Sequence, residues 1–161
     1  FQTASLVKVR NDAIDDHKTC ALKHNLDEDP ISLNEAGKRY GKANKGLETA
    51  VLAPLKETLG KEIKIVAAHY CLINGRYFAH VVLKQRQKVV SVLMTPKENY
   101  TGTVDDVIAC GTSGDLQVAC FETDRYSLFV VSNKPEAENL VIARTVSNSI
   151  REHILKSEPS V

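Results

Sequence analysis

Ile63-Lys64-Ile65-Val66-Ala67-Ala68-His69-Tyr70-Cys71-Leu72-Ile73, followed by Asn74-Gly75 and then Arg76-Tyr77-Phe78-Ala79-His80-Val81-Val82-Leu83, decides the fold. Both runs are rich in β-branched and aromatic residues, and Asn-Gly between two such runs is the strongest short hairpin signal. A two-residue turn at Asn74-Gly75 fixes the register, so that Ile73 faces Arg76, Cys71 faces Phe78 and His69 faces His80. Side chains alternate with period two, which puts His69, Cys71, Phe78 and His80 on one side of the sheet.

More strands follow. Val89 to Met94 comes after the polar turn Gln85-Arg86-Gln87-Lys88. Val107 to Cys110 and Leu116 to Phe121 bracket Gly111-Thr112-Ser113-Gly114, and Tyr126 to Ser132 completes the sheet. Residues 63–132 thus read as an antiparallel meander of about five or six strands.

Helical patterns flank the sheet. In residues 1–29, Leu6, Val9, Ala13, Cys20 and Leu22 fall near helical spacing from Ser5 to Asn25, and Asp27-Glu28-Asp29-Pro30 breaks the run. Ser32-Leu33-Asn34-Glu35 has the pattern of a capping box and opens a helix expected to reach about Val51, weakened by Gly37, Gly41 and Gly46. Its basic residues Lys38, Arg39, Lys42 and Lys45 read as a solvated face. Pro54 is expected to start a short helix ending at Gly60, which closes a helical region over 32–60. Over 135–155, Ile142, Val146, Ile150 and Ile154 recur every fourth residue and form the core stripe of a last helix. With no βαβ rhythm the class is α+β: an antiparallel sheet packed with N-terminal helices and a C-terminal helix, in a single domain over 1–161.

Composition narrows the function classes. Apolar residues make up 43% of the chain and charged residues 25%, ordinary globular values. With 21 basic and 20 acidic residues, bulk charge gives no reason to expect nucleic acid as a partner. No apolar run approaches the ~20 residues of a membrane-spanning helix, and no signal peptide is visible. The chain opens at Phe1 without Met, so it is expected to be part of a longer protein. G-x-S-x-G, the P-loop, the dinucleotide glycine fingerprint, H-E-x-x-H and C-x-x-C are all missing, which argues against the commonest enzyme classes; no catalytic residues are assigned.

The chemistry lies in the histidines and cysteines. His17, Cys20 and His24 are spaced three and four apart and share one helix face. Together with His69, Cys71 and His80 they suit zinc or copper, whose softness matches nitrogen and sulfur ligands. The alternatives are a Cys20–Cys71 disulfide or two buried thiols among histidines that line a helix–sheet contact. For Cys110 and Cys120, a two-residue Gly114-Asp115 turn would pair Cys110 with Ala119 and leave Cys120 on the opposite face. Bridging them requires an odd-length loop or a bulge; ordinary strand packing is the alternative.

Asp16-His17-Lys18-Thr19-Cys20-Ala21, His69-Tyr70-Cys71 and Arg76-Tyr77-Phe78-Ala79-His80-Val81-Val82-Leu83, with Val90-Ser91-Val92-Leu93-Met94 and Leu128-Phe129-Val130-Val131-Ser132, resemble the extracytoplasmic domain of certain bacterial transmembrane anti-sigma factors. The resemblance runs in order over residues 12–152. It implies a periplasmic signal-sensing domain, with Phe1 just past the parent transmembrane helix. A cytoplasmic anti-sigma domain, absent from this chain, would hold an extracytoplasmic-function sigma factor. The family's motifs carry over onto His17, Cys20, His69, Cys71 and His80, whereas His24, Cys110 and Cys120 fall outside its pattern. In an oxidising periplasm the resemblance implies a Cys20–Cys71 disulfide, worth ~3–4 kcal/mol in the chain-entropy model, or the same pair as a switch responding to thiol state or metal. A homodimer is compatible with this reading. Two readings compete with it: a periplasmic metal-binding module or metal carrier unrelated to transcription, and a thiol- or metal-dependent enzyme.

Overall fold

The computed structural model describes residues 4–23, 29–98 and 106–159. Helix α1 (Ala4–Asp16) runs into a π-helical turn (His17–Leu22); then come α2 (Leu33–Arg39), a 3₁₀ turn (Lys42–Asn44) and α3 (Leu47–Leu59). Strands β1 (Lys64–Ile73), β2 (Arg76–Gln85), β3 (Lys88–Pro96), β4 (Ile108–Ser113), β5 (Leu116–Glu122) and β6 (Tyr126–Ser132) follow, and α4 (Glu136–Ser157) closes the chain. This is the α+β arrangement expected, with six strands, all pairs antiparallel.

The first hairpin matches its reading residue for residue. Asn74 and Gly75 both have positive φ, +50° and +78°, and the register is Ile73 to Arg76, Cys71 to Phe78 and His69 to His80. The sheet as a whole departs from a simple meander, because its spatial order is β1-β2-β3-β6-β5-β4. β6 is buried along its whole length and sits beside β3 in the centre. β4, short and with only Cys110 buried, takes the edge, where unpaired backbone is tolerated.

Helices cover both faces. On one, α2, α3 and α4 pack Leu47, Val51, Leu55, Ile142, Val146, Ile150 and Ile154 against Val81, Val92, Phe121 and Val130. On the other, α1 lays Leu6, Val9, Ala13 and Ile14 against Phe78, Leu93, Phe129 and Val131. The histidine- and cysteine-bearing side of the hairpin faces α1.

Three boundaries differ from expectation. The N-terminal helix was expected to stay α-helical to Asn25, but it changes to a π turn at His17; His24 lies outside the described residues. The helix from Leu33 breaks at Gly41 and Gly46, whose φ values of +141° and +81° only glycine adopts freely. Pro54 starts nothing: it lies inside α3, one turn after Ala50. Proline has no N–H for the carbonyl four residues back, and the Ala50 carbonyl instead accepts a 2.7 Å bond from Ser149 Oγ of α4. The basic residues at 38, 39, 42 and 45 are exposed, with Lys38 and Arg39 paired to Glu35.

Cys110 and Cys120 are bridged. A bulge between Ala109 and Thr112 makes it possible: Ala109, not Cys110, faces Ala119, and one extra residue in β4 turns Cys110 toward the face of Cys120.

Removing the Ser149 hydroxyl leaves the Ala50 carbonyl without its donor, so Ser149→Ala should cost about 1 kcal/mol in urea unfolding. In a Pro54→Ala background, where the helix supplies its own N–H, the same change should cost measurably less. Equal costs in both backgrounds would show that the hydroxyl does not stand in for the missing donor.

Candidate metal centre

The hairpin that sets the register also grips α1. Asn74 Nδ2 donates to Asp12 Oδ1 at 3.0 Å and to Asp15 Oδ2 at 2.8 Å, and Arg76 Nε donates to Asp12 Oδ2 at 3.1 Å. At the far edge Arg10 Nη1 donates to the Cys110 carbonyl at 3.0 Å. Held at these points, α1 turns Asp16 inward until its side chain is 0% exposed.

Beyond Asp16 the helix widens: Lys23 N–H reaches the Lys18 carbonyl, five residues back, at 3.1 Å. A π turn inside a helix frequently marks a functional site, because it re-aims side chains that α geometry would place elsewhere. Here its buried residues are His17, Cys20 and Ala21.

Three elements bring the polar side chains together. Cys20 Sγ lies 2.7 Å from His69 Nε2, and Cys71 Sγ donates to Asp16 at 3.0 Å (Oδ2) and 3.3 Å (Oδ1). Both thiols are buried and unbridged. His80 packs edge-on against His69, ring centroids 5.6 Å apart. Its Nε2 is 2.7 Å from Ser91 Oγ, and the same hydroxyl is 2.6 Å from His17 Nδ1. His80 Nδ1 is 3.4 Å from Asp16 Oδ1 without the alignment of a hydrogen bond, and it is the one buried side-chain nitrogen or oxygen among the described residues with no such partner.

Two sets of ligand atoms converge within 4.8 Å: Cys20, His69 and His80, and Asp16, Cys71 and His80. His80 belongs to both. Of the residues predicted from sequence, Cys20, His69, Cys71 and His80 therefore meet. His17 stands outside both sets and reaches His80 only through Ser91. Cys110 and Cys120 close their own bridge elsewhere on this face.

Sequence reading missed Asp16 and Ser91. For Asp16 the signal was a carboxylate four residues before Cys20, in line with Asp12, on an otherwise apolar stripe. For Ser91 it was a hydroxyl at an inward position of an apolar strand.

The protonation pattern follows from these contacts. Burial opposes charge on His80, but Asp16 and the Cys20 sulfur outweigh it and raise its pKa to about 9. Burial, then repulsion from His80, lowers His17 to about 4. The hydrogen bond from Cys71, aided by His69 and His80, outweighs burial and pulls Cys20 well below the ordinary thiol range. That same bond, burial and the charge of Asp16 push Cys71 up. The metal-free cluster thus favours the charged form of Cys20 and of His80 and the neutral form of Cys71. Ser91 Oγ is shared between the two rings, at 2.7 Å from His80 Nε2 and 2.6 Å from His17 Nδ1.

Ser91, His80 and Asp16 are linked in the order of a hydrolytic triad. Ser91 Oγ is nevertheless wedged between two imidazoles on a residue that is 0% exposed, so no carbonyl carbon can approach it. No family model, curated protein or solved structure matches the chain.

Acid should destabilise the metal-free domain. His17 is neutral when folded, so its contribution is complete above its ordinary pKa of 6.5 and is lost as pH falls through about 4. Depressed Cys20 acts in the same direction, whereas His80 contributes fully below 6.5 and loses that contribution as pH rises through about 9. Each uncompensated proton is worth up to ~1.4 kcal/mol per pH unit. Urea midpoints should fall between pH 6.5 and 4, less steeply in His17→Phe. Identical slopes would remove His17 from this account.

Proposed function

We propose that this chain is a sensory domain that binds a soft metal ion, Zn²⁺ or Cu⁺, and that it is the extracytoplasmic half of a transmembrane anti-sigma factor. One observation carries the metal reading: sulfur, nitrogen and carboxylate ligands from α1, the π turn, β1 and β2 converge on His80, whose buried Nδ1 has no hydrogen-bond partner. Buried polar atoms are almost always satisfied, and an unsatisfied one calls for an explanation such as an ion.

Cys20, His69 and His80 form the nucleus of the site, and Cys71, which converges with Asp16 on His80, is the fourth ligand. Asp16 lies alongside as a charge partner, and Ser91 orients His80 by occupying Nε2, the outer-shell role that fixes a metal-binding tautomer. Thiolate and imidazole favour zinc or cuprous copper over hard cations.

Sensing requires two states with different affinity for the signal. The site spans the contact between α1 with its π turn and the β1–β2 hairpin, so a bound ion favours the docked helix. The resemblance over residues 12–152 supports the anti-sigma assignment, and the Cys110–Cys120 bridge is compatible with an oxidising compartment. Among the described residues no helix is long and apolar enough to cross a membrane.

Chelator-competition titrations with Zn²⁺ and Cu⁺ on protein with free Cys20 and Cys71 should show one ion per chain. Cys20→Ser and His80→Ala should each weaken binding by well over ~10-fold, since each removes a ligand, and His17→Ala by no more than ~3-fold because it contributes only through Ser91. Binding near neutral pH should release protons from Cys71 and His80. Equal, weak binding by all four proteins would sink the metal reading. In the parent protein, Cys20→Ser should uncouple sigma-dependent transcription from added metal; unchanged coupling would reject the signalling role.

A further inference from the structure

The far face of the sheet from the metal centre holds another buried charge. Gln85 ends β2 on the side of Val81 and Leu83, an inward position where the larger core would be expected to place an apolar side chain. Its Oε1 accepts a 2.7 Å bond from Lys134 Nζ, and the Lys134 side chain is 10% exposed. The Lys134 backbone is fixed as well. Its N–H donates to Ser132 Oγ at 3.3 Å, and that hydroxyl donates to Asn139 Oδ1 of α4 at 2.7 Å.

These two side chains are left with donors to spare. An ammonium has three N–H donors and no acceptor, so Gln85 must turn its oxygen toward Lys134 and its Nε2 away. Among the described residues Lys134 Nζ makes that one hydrogen bond, and Gln85 Nε2 meets no acceptor. The carboxylate paired with Lys134, Glu138 at 4.0 Å, is 62% exposed and beyond hydrogen-bond reach. Such an exposed partner contributes little, whereas a buried ammonium is costly unless it is paired and hydrogen-bonded. Burial opposes the charge on Lys134, Glu138 favours it, and Lys88 and Arg86 again oppose it. Gln85 and Lys134 line a cleft of about 260 Å³ whose other walls include Leu59, Val141, Ile142 and Arg86. Pockets for drug-sized ligands run to ~300–1,000 Å³, so an occupant of this one is small.

We propose that this cleft binds a small monocarboxylate with a short apolar tail. The carboxylate takes the spare N–H groups of Lys134 and Gln85, and the tail lies against Leu59, Val141 and Ile142. The donor set decides the head group: an anion with two acceptor oxygens satisfies the ammonium and the amide together. A phosphate is typically gripped by arginine forks or several backbone N–H groups, and Glu138 beside Lys134 disfavours a second negative charge. The apolar walls decide the tail, since an inorganic anion would leave them facing water. The site lies between the end of α3, the end of β2 and α4, on the face opposite α1. It shares no residue with the metal centre and does not require the metal reading to hold.

The test titrates this chain with sodium hexanoate, its neutral counterpart hexanamide and inorganic phosphate, following backbone amide shifts by NMR. Hexanoate should give saturable shifts at Leu59, Gln85, Lys134 and Val141. It should bind at least ~10-fold more tightly than hexanamide, which lacks the charge that strengthens the hydrogen bonds. Phosphate at the same concentrations should leave those amides unmoved. Lys134→Met should weaken hexanoate binding by ~10-fold or more with far-UV dichroism unchanged. Val141→Asp, at an exposed position of α4, should also weaken it by setting a carboxylate against the tail, and it decides the question if Lys134→Met does not fold. The proposal is overturned if those amides show no saturable shifts, if hexanamide binds as tightly as hexanoate, or if phosphate binds more tightly. Unchanged hexanoate affinity in a folded Lys134→Met protein would overturn it as well.

Discussion

The rest of the structure hangs on Asn74, which works twice. Its left-handed backbone, with Gly75, closes the two-residue turn that pairs His69 with His80 and sets Cys71 on their face. Its side chain then holds Asp12 and Asp15 of α1. A slip of one residue in the hairpin would move both histidines and the thiol to the opposite face. Release of the amide would loosen the helix that carries Asp16 and Cys20. Strand register and helix docking, separate problems in most α+β proteins, meet here at one residue.

That arrangement carries a polar cluster into a place where apolar packing would be the simpler solution. The α1 face of the sheet is otherwise lined by Phe78, Leu93, Phe129 and Val131, and Asp16 and His80 are each 0% exposed in their midst. An isolated buried charge is costly, and buried ion pairs generally do no better than hydrophobic groups of the same shape. The cluster offsets its own cost by mutual compensation: Asp16 against His80, the Cys20 sulfur against His69 and His80, and Ser91 between two imidazoles. The compensation stops short at His80 Nδ1. There Asp16 Oδ1 lies 3.4 Å away without the alignment of a hydrogen bond.

Layering places this cluster where it can report on a contact. α3 and α4 share one continuous core on the opposite face, while among the described residues α1 is the helix whose apolar side chains fill the other core. Undocking α1 would disturb the smaller of the two cores and leave the larger intact, as a switchable layer on a stable base requires.

The sequence by itself determined the α+β class, the central hairpin with its register, the C-terminal core helix, and the convergence of His69, Cys71 and His80 on one face. These follow from local rules: Asn-Gly permits few turns, strand side chains alternate strictly, and isoleucines four apart share a helix face. Tertiary structure alone decided the rest. The order β1-β2-β3-β6-β5-β4 depends on which apolar strand wins the centre. Pro54 survives within α3 because Ser149, nearly a hundred residues on, bonds the carbonyl it leaves free. The Cys110–Cys120 bridge needs a bulge that no short-range pattern announces. His17, spaced in sequence like a ligand, is turned toward Ser91, while Asp16, with no metal motif around it, is brought to the centre. Spacing places residues on a face of their own element; which of them meet across elements is decided when helix and sheet dock, and that depends on the whole core.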